Sequence, residues 1–374
     1  MLVQNFLREH KDLSGLDALK EKYGISVSEK YDDIVVLNYS QIDSPKFDPL
    51  VKECRGLILE KNSWRAIARS FDRFFNYGEC PDASKYDITK AIVYEKLDGS
   101  LITSFWYHNQ WNFATRKMAY AEGVNSFGVS FRQVIDKAFD VKKLDKYPHD
   151  WCFVFELTSP ETRVVKRYSD YRLTLLSIRS YLEANGEWFS GAVDKIAKEL
   201  GVLRPKQYLM SSFEEVVKNS KELPELDEGY VCLWEPEWNK ETCTWSNDRA
   251  FYRLKIKNPA YLAVAHMRDN GEHSEKRVIA LVMMNEQEEY LSYFPEDRPL
   301  FQKYVDAHER LKEDVSKTWE KVKGIEDQKT FALQVKHLTI SGILFRMKKG
   351  EKYEDVIEKM NDNSKINIFR GYMK

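Results

Sequence analysis

No run of apolar residues in this chain approaches the roughly 18 that a membrane-spanning helix requires, so no membrane partner is expected. The opening segment, Met1 to His10, lacks a basic end leading into a long apolar stretch. That argues against a secretory leader and makes the cytoplasm the expected compartment. Cysteine is scarce: Cys54, Cys80, Cys152, Cys232 and Cys243 are scattered, odd in number and free of any C-x-x-C pair. Neither a zinc site nor a disulfide framework fits that pattern, and reduced, partly buried thiols are expected. A net charge is missing as well, since 58 basic and 59 acidic side chains leave −1. A globally basic nucleic-acid binder is excluded, while a local basic groove balanced by acid elsewhere is not. Internal repeats and low-complexity linkers are also lacking.

What is present is enough for sizeable cores: 374 residues, 43% hydrophobic and 13% aromatic, a length that favours two domains. Short β-rich runs with period-two alternation dominate from about Asp33 to about Lys257, at 34–38, 56–60, 92–95, 101–107, 111–115, 152–157, 172–177, 230–234 and 251–256. Helical patterns interrupt them at 16–23, 124–139, 192–200 and 212–220. Strands in hairpin-spaced groups without regular helical crossovers predict an α+β class with largely antiparallel sheets. Beyond Asn258 and Pro259 the pattern turns helical. Leu300, Tyr304, Ala307, Leu311, Val315 and Val322 predict one long amphipathic helix, flanked by shorter ones at 260–267, 277–285, 329–347 and 353–360. The expected division is therefore 1–258, mixed, and 259–374, all-helical.

Candidate chemistry concentrates in the β-rich part. Lys96-Leu97-Asp98-Gly99-Ser100 places a lysine beside an acid-glycine turn at a strand entrance. A lysine amine becomes a nucleophile near neutral pH only when desolvation or neighbouring cations lower its proton affinity, and Gly99 lets backbone donors approach a phosphate. The same five residues also fit an ordinary hairpin turn. Arg55, in Glu53-Cys54-Arg55-Gly56, can fork onto a phosphate or serve as a plain edge arginine. Arg73-Phe74-Phe75-Asn76-Tyr77 can stack a base or simply pack a core.

In Phe153-Val154-Phe155-Glu156-Leu157 the alternation sends Phe153, Phe155 and Leu157 to one face and Glu156 to the other, where it needs a partner such as ribose hydroxyls. Asp227-Glu228-Gly229-Tyr230-Val231 is a second acid-glycine entrance. An acid there can hold Mg²⁺ through water or merely close a turn. Leu254-Lys255-Ile256-Lys257 puts two lysines on one strand face, where they repel unless an anion such as a triphosphate or water separates them. Each feature alone also has an ordinary structural reading. Their joint occurrence in this order is much harder to assign to chance.

The series Lys96-Leu97-Asp98-Gly99-Ser100, Phe155-Glu156, Glu228-Gly229-Tyr230-Val231 and Leu254-Lys255-Ile256-Lys257 resembles motifs I, III, IV and V of the covalent nucleotidyltransferases, which include ATP-dependent DNA and RNA ligases and GTP-dependent mRNA capping enzymes. Glu53-Cys54-Arg55-Gly56, Phe74-Phe75-Asn76 and the helical tail are similar to the bacteriophage tRNA-repair RNA ligases, the RNA ligase 1 family. The resemblance runs over nearly the whole chain, strongest from about Asn38 to Tyr261. It implies a nucleotidyltransferase domain in which Lys96 attacks the α-phosphate of ATP and forms a lysyl-adenylate. Lys255 and Lys257 would neutralise the triphosphate, and their field would lower the Lys96 proton affinity before ATP arrives.

By the same resemblance Arg55 and Arg73 contact phosphates, Phe75 and Lys117 support the nucleotide, Glu156 binds its ribose, Gly99 and Gly229 line its site, and Glu228 places Mg²⁺ or Mn²⁺. Tyr261 matches a tyrosine just past motif V. The family pattern has lysine where this chain has Arg73, which excludes a deprotonated amine there and leaves a phosphate clamp. The implied partners are ATP and RNA with 5′-phosphate and 3′-hydroxyl ends, in single-stranded or loop RNA as in tRNA repair. The protein would act as a monomer, in the host cytoplasm if phage-encoded, with the helical tail as RNA-specificity module. DNA ligase or capping guanylyltransferase chemistry, or a catalytically silent RNA-binding homologue, are the alternatives. The absence of any recognisable β-barrel appendage counts against the first two.

Overall fold

A computed structural model describes residues 1–10, 14–41, 43–79, 86–124, 128–182, 186–224, 226–267, 274–283 and 287–373. The chain falls into two compact units, Met1–Leu262 and Ala263–Lys374. The first is α+β and the second is helical throughout its described elements.

Three larger sheets and a two-stranded ribbon, Trp238–Asn239 with Thr244–Trp245, build the first unit. One is antiparallel, in the order Ile25–Ser28, Ile34–Tyr39, Arg55–Glu60 and Ala66–Ala68. A second, also antiparallel, runs Arg172–Ser180, Trp151–Thr158, Ser100–Tyr107 and Gln110–Thr115. The third runs Gln207–Tyr208, Ile92–Glu95, Gly229–Trp234, Tyr252–Lys257 and Phe75–Asn76, with only the last pairing parallel. Residues 96–99 leave the Ile92–Glu95 strand of the third sheet and enter the Ser100–Tyr107 strand of the second. The candidate lysine therefore sits on the connection between two sheets.

Strand alternation decides what each sheet buries. Phe153, Phe155 and Leu157 face a core with Ile102 and Phe113, closed by Val134 and Ile135 of the Phe131–Ala138 helix and by Val193, Ala197 and Leu200 of the Ser190–Leu200 helix. Val93, Tyr230, Cys232, Leu254 and Ile256 pack with Val216 of the Phe213–Lys221 helix. With those residues turned to the core, Glu156, Lys255 and Lys257 point the opposite way.

Several expected bounds move for local reasons. The 124–139 helix is shorter, starting at Phe131, because Ser130 and Gln133 form a capping box there and Val124 bridges Ser130 instead; residues 125–127 lie outside the described ones. The 329–347 helix is two helices, Gln328–Val335 and Ser341–Lys348. Phe331, Val335, Ile340, Ile343 and Leu344 are all buried. In one straight helix, at about 100° per residue, Ile340 would lie about 180° around from Phe331; the break lets both reach a core. In the Arg298–Val322 helix Phe301, rather than Leu300, joins Tyr304, Ala307, Leu311, Val315 and Val322 in burial.

Helices at Leu2–Glu9 and Asp362–Tyr372 and strands at Ile25–Ser28 and Ala66–Ala68 were not among the expected elements. Cys54, Cys152 and Cys232 are buried free thiols and Cys243 is exposed; Cys80 lies outside the described residues. No described helix is long and apolar enough to cross a membrane.

Gly229 is the tightest point of the frame. Its φ is +135°, and a Cβ there would stand 2.1 Å from the Ile256 carbonyl oxygen across the strand pair. The Gly229→Ala variant should lose on the order of 3 kcal/mol or more, read as a lowered melting temperature. A variant as stable as the parent would show that the Gly229–Lys257 pairing can give way.

Candidate active site

The connection that carries Lys96 is pinned along its length. The Lys96 amide donates to the Gly229 carbonyl at 2.8 Å, and the Gly99 amide donates to Glu156 Oε1 at 3.1 Å. Between them Asp98, 3% exposed, accepts the Tyr261 hydroxyl at 2.7 Å on one oxygen and the Val165 amide at 2.7 Å on the other. The acid of the K-x-D-G turn is thus a clamp that ties the lysine segment to a distant loop and to Tyr261. Gly99 is obligatory for contact rather than for φ: a Cβ would stand 2.4 Å from the Leu157 carbonyl oxygen.

The pinned segment opens on a cavity of about 280 Å³, whose wall includes Arg55, Phe74, Lys96, Gly99, Glu156, Glu228, Lys255 and Lys257. Arg55 comes from the first sheet, Glu156 from the second, and Glu228, Lys255 and Lys257 from the third or its edge. Lys96 Nζ lies 2.6 Å from Glu228 Oε2, and Lys257 Nζ lies 3.0 Å from Oε1 of the same carboxylate. The Lys96 side chain is 21% exposed and that of Glu228 only 7%. Lys255 Nζ sits 5.1 Å over the Phe74 ring and the Arg55 guanidinium 5.3 Å over the same ring. Arg55 Nη1 is buried without a hydrogen-bond partner.

These neighbours set the charges. Burial pulls the Lys96 amine down, but Glu228, Glu156 and Asp98 together raise it above the ordinary lysine value. This corrects the expectation that the lysines of the 252–257 strand lower it: in the resting site the nearby carboxylates outweigh those cations. The affected amine is Lys255, brought to about 7 by burial and then by Lys96, Arg55 and Lys257. Burial raises Glu228, yet Lys96 and Lys257 hold its carboxyl below the usual range. Glu156 is pushed up to about 7, chiefly by burial. The pocket therefore keeps one firmly ionised acid against Lys96 and sets two groups near neutrality, a lysine and an acid, on its walls.

Other expected residues lie elsewhere. Arg73 and Phe75 line a neighbouring cavity instead, Arg73 being 8% exposed with its guanidinium 4.1 Å over the Tyr39 ring. Lys117 is exposed and forms no part of the Lys96 cavity wall. Gly229 contributes its carbonyl to Lys96 rather than surface. The buried pair of Glu187 with Arg253, 66 residues apart, gave no sequence signal at all. Among the described residues no group of three His, Cys, Asp or Glu side chains is placed to hold a metal ion.

A family model described as RNA ligase matches residues 53–261, more than half of the chain. The chain belongs to the RNA ligase family. A protein of Autographa californica nuclear polyhedrosis virus with the provisional name bifunctional polynucleotide kinase/RNA ligase is 28% identical, over 96% of this chain and 52% of its own length. An RNA ligase of Rhodothermus phage RM378 is 26% identical over 60% of this chain and 62% of its own. The chain thus spans between half and two thirds of these two relatives. Among solved structures, an archaeal ATP-dependent RNA ligase aligns with a TM-score of 0.48 and 12% identity, over 90% of this chain and 77% of that one.

The Lys255 ammonium is costly to bury, and the cost depends on pH. Below pH 7 the folded protein carries the charge in the cavity. Between about 7 and 10.5 the folded lysine is neutral while the unfolded one still holds its proton, so the penalty shrinks as pH rises. Lys255→Met should therefore melt about 3 °C or more above the parent at pH 6, with the gap narrowing by pH 9. A gap that widens with pH would contradict the assignment.

Proposed function

We propose that this protein is an ATP-dependent RNA ligase that joins 5′-phosphate to 3′-hydroxyl ends through a lysyl-adenylate. The observation that carries the reading is the single cavity in which Lys96 and Lys257 share Glu228, with Lys255 and the unpartnered Arg55 Nη1 beside them. An anion fits such a site better than any neutral ligand. Lys255 near neutrality and an orphaned guanidinium nitrogen both gain from a phosphate, which would restore the Lys255 charge and satisfy Arg55.

Attack on the α-phosphorus of ATP forms a P–N bond at Lys96 Nζ and breaks the bond to pyrophosphate. Nζ must first lose its proton to solvent, because its partner Glu228 at 2.6 Å is held ionised and stabilises the ammonium. Lys255, Lys257 and Arg55 offset the charge that develops on the departing phosphates. A terminal phosphate oxygen of RNA then attacks the adenylate phosphorus and frees Lys96. In the last step an RNA 3′-hydroxyl attacks that 5′-phosphate and releases AMP.

The donor set suits Mg²⁺ or Mn²⁺ only as a shared ion, with Glu228 as its one protein carboxylate and phosphates and water as the rest. Such an ion supplies charge neutralisation at the phosphate oxygens. Glu156 fits a ribose contact. The monomeric state, the cytoplasmic setting and tRNA-like loop substrates are part of the same proposal, as is RNA recognition by the helical unit.

Incubation with labelled ATP, then denaturation and mass spectrometry, should find AMP on the Lys96 peptide and none in Lys96→Ala. Label from GTP alone would favour a capping enzyme. RNA binding without label would favour a silent homologue. A chain ended after Met267 should keep Lys96 labelling while losing preference for structured RNA; equal loss of both would refute separable units.

A further inference from the structure

The Lys96 cavity takes Arg55 from a strand whose own alternation would send it elsewhere. In the Arg55–Glu60 strand Leu57 and Leu59 face a core that they share with Val35 and Leu37, while Ile58 faces the second sheet with Ile34 and Val36, beside Phe105 and Ala114. A strict period of two would put Arg55 on the Leu57 side, a guanidinium among apolar side chains. The pairing register shows how it escapes. Leu37 lies opposite Leu57, but the next residue, Asn38, lies opposite Arg55, so Gly56 is an extra residue in the strand. Such a bulge re-aims the side chain beside it. Gly56 takes a φ of +70°, and Arg55 emerges in the cavity wall, 5.3 Å over the Phe74 ring with Nη1 unspent.

A bulged residue loses its partner in the ladder, and its amide must be satisfied some other way. Here a side chain does it. The Gly56 amide donates to Asn38 Oδ1 at 3.0 Å, and Asn38 Nδ2 donates to the Arg116 carbonyl at 2.8 Å, one residue beyond the Gln110–Thr115 strand of the second sheet. Arg116 Nε donates to the same Oδ1 at 3.3 Å. One carboxamide thus fastens the bulge and ties the first sheet to the second. The fit leaves no slack, because a Cβ on Gly56 would stand 3.0 Å from the Arg116 carbonyl oxygen.

We propose that Asn38 is a positioning residue for adenylate transfer: by holding the Gly56 bulge against the second sheet, it keeps Arg55 aimed at the phosphates of ATP. Asn38 is not part of the Lys96 cavity wall, so it acts through Arg55 and not by touching the nucleotide. The proposal rests on the lysyl-adenylate reading and adds to it the residue that sets its arginine. A donor and an acceptor on one short side chain are both required, which a carboxamide supplies and an aliphatic side chain does not.

A double-mutant cycle on the full chain tests this, read as the rate of Lys96 labelling at ATP concentrations far below saturation. Asn38→Ala should slow labelling about tenfold, as the loss of one charge-assisted phosphate contact would. Arg55→Ala should slow it at least as much. In the Arg55→Ala background Asn38→Ala should then cost no more than about twofold, since the group it positions is gone. A purely structural Asn38 would slow both backgrounds alike, and an equal loss in both would overturn the proposal, as would an unchanged rate in Asn38→Ala. Melting curves accompany each variant; if Asn38→Ala is unfolded at the assay temperature, Asn38→Ser runs through the same cycle with the same expected non-additivity. Arg55→Ala labelling at the parent rate would overturn the proposal while leaving the lysyl-adenylate reading intact. A parent chain that takes no label at all would sink that reading, and this proposal with it.

Discussion

The site depends on one carboxylate with two ammonium partners. Glu228, almost wholly buried, holds Lys96 at 2.6 Å and Lys257 at 3.0 Å. Removing Glu228 would leave two ammonium groups without their shared counter-charge, which costs more than the pairs contribute, whereas losing either lysine alone leaves a balanced pair. Their placement follows from strand pairing: Gly229 lies opposite Lys257, and the Lys96 amide closes on the Gly229 carbonyl. A register slip of one residue would turn Lys255 and Lys257 into the core and leave Glu228 unmatched.

That arrangement separates poise from reactivity. A nucleophilic lysine is commonly pictured as one whose proton is already loose. Here the resting amine is held charged, and the loosened proton belongs to Lys255 in the same cavity. An incoming anion reverses the balance by giving Lys255 a reason to stay protonated, which redistributes positive charge toward the phosphates before any bond is made. In the proposed reaction the cation-rich wall would receive the nucleotide before Lys96 gives up its proton.

Much of this was legible in the sequence because period-two alternation is local. It placed Glu156 opposite Phe153 and Phe155, and Lys255 with Lys257, on the faces they occupy. The strand bounds 92–95 agree with the observed Ile92–Glu95. What was not legible depends on pairs far apart in the chain. Asp98 reads as a turn residue until Tyr261 and Val165 are seen on its two oxygens. The sign of the Lys96 shift is a sum over Glu228, Glu156 and Asp98, which spacing cannot supply. Arg73 and Phe75, grouped with the nucleotide by resemblance, line a cavity that shares Phe74 and Arg253 with the Lys96 cavity, a placement that spacing does not supply.

The near-neutral Lys255 has a practical corollary for chemical labelling. Aldehydes and active esters react with the free amine, so at physiological acidity such reagents would find Lys255 ahead of the tightly paired Lys96. Under the proposed function, inactivation by an amine-directed reagent would then report modification of Lys255 rather than of Lys96.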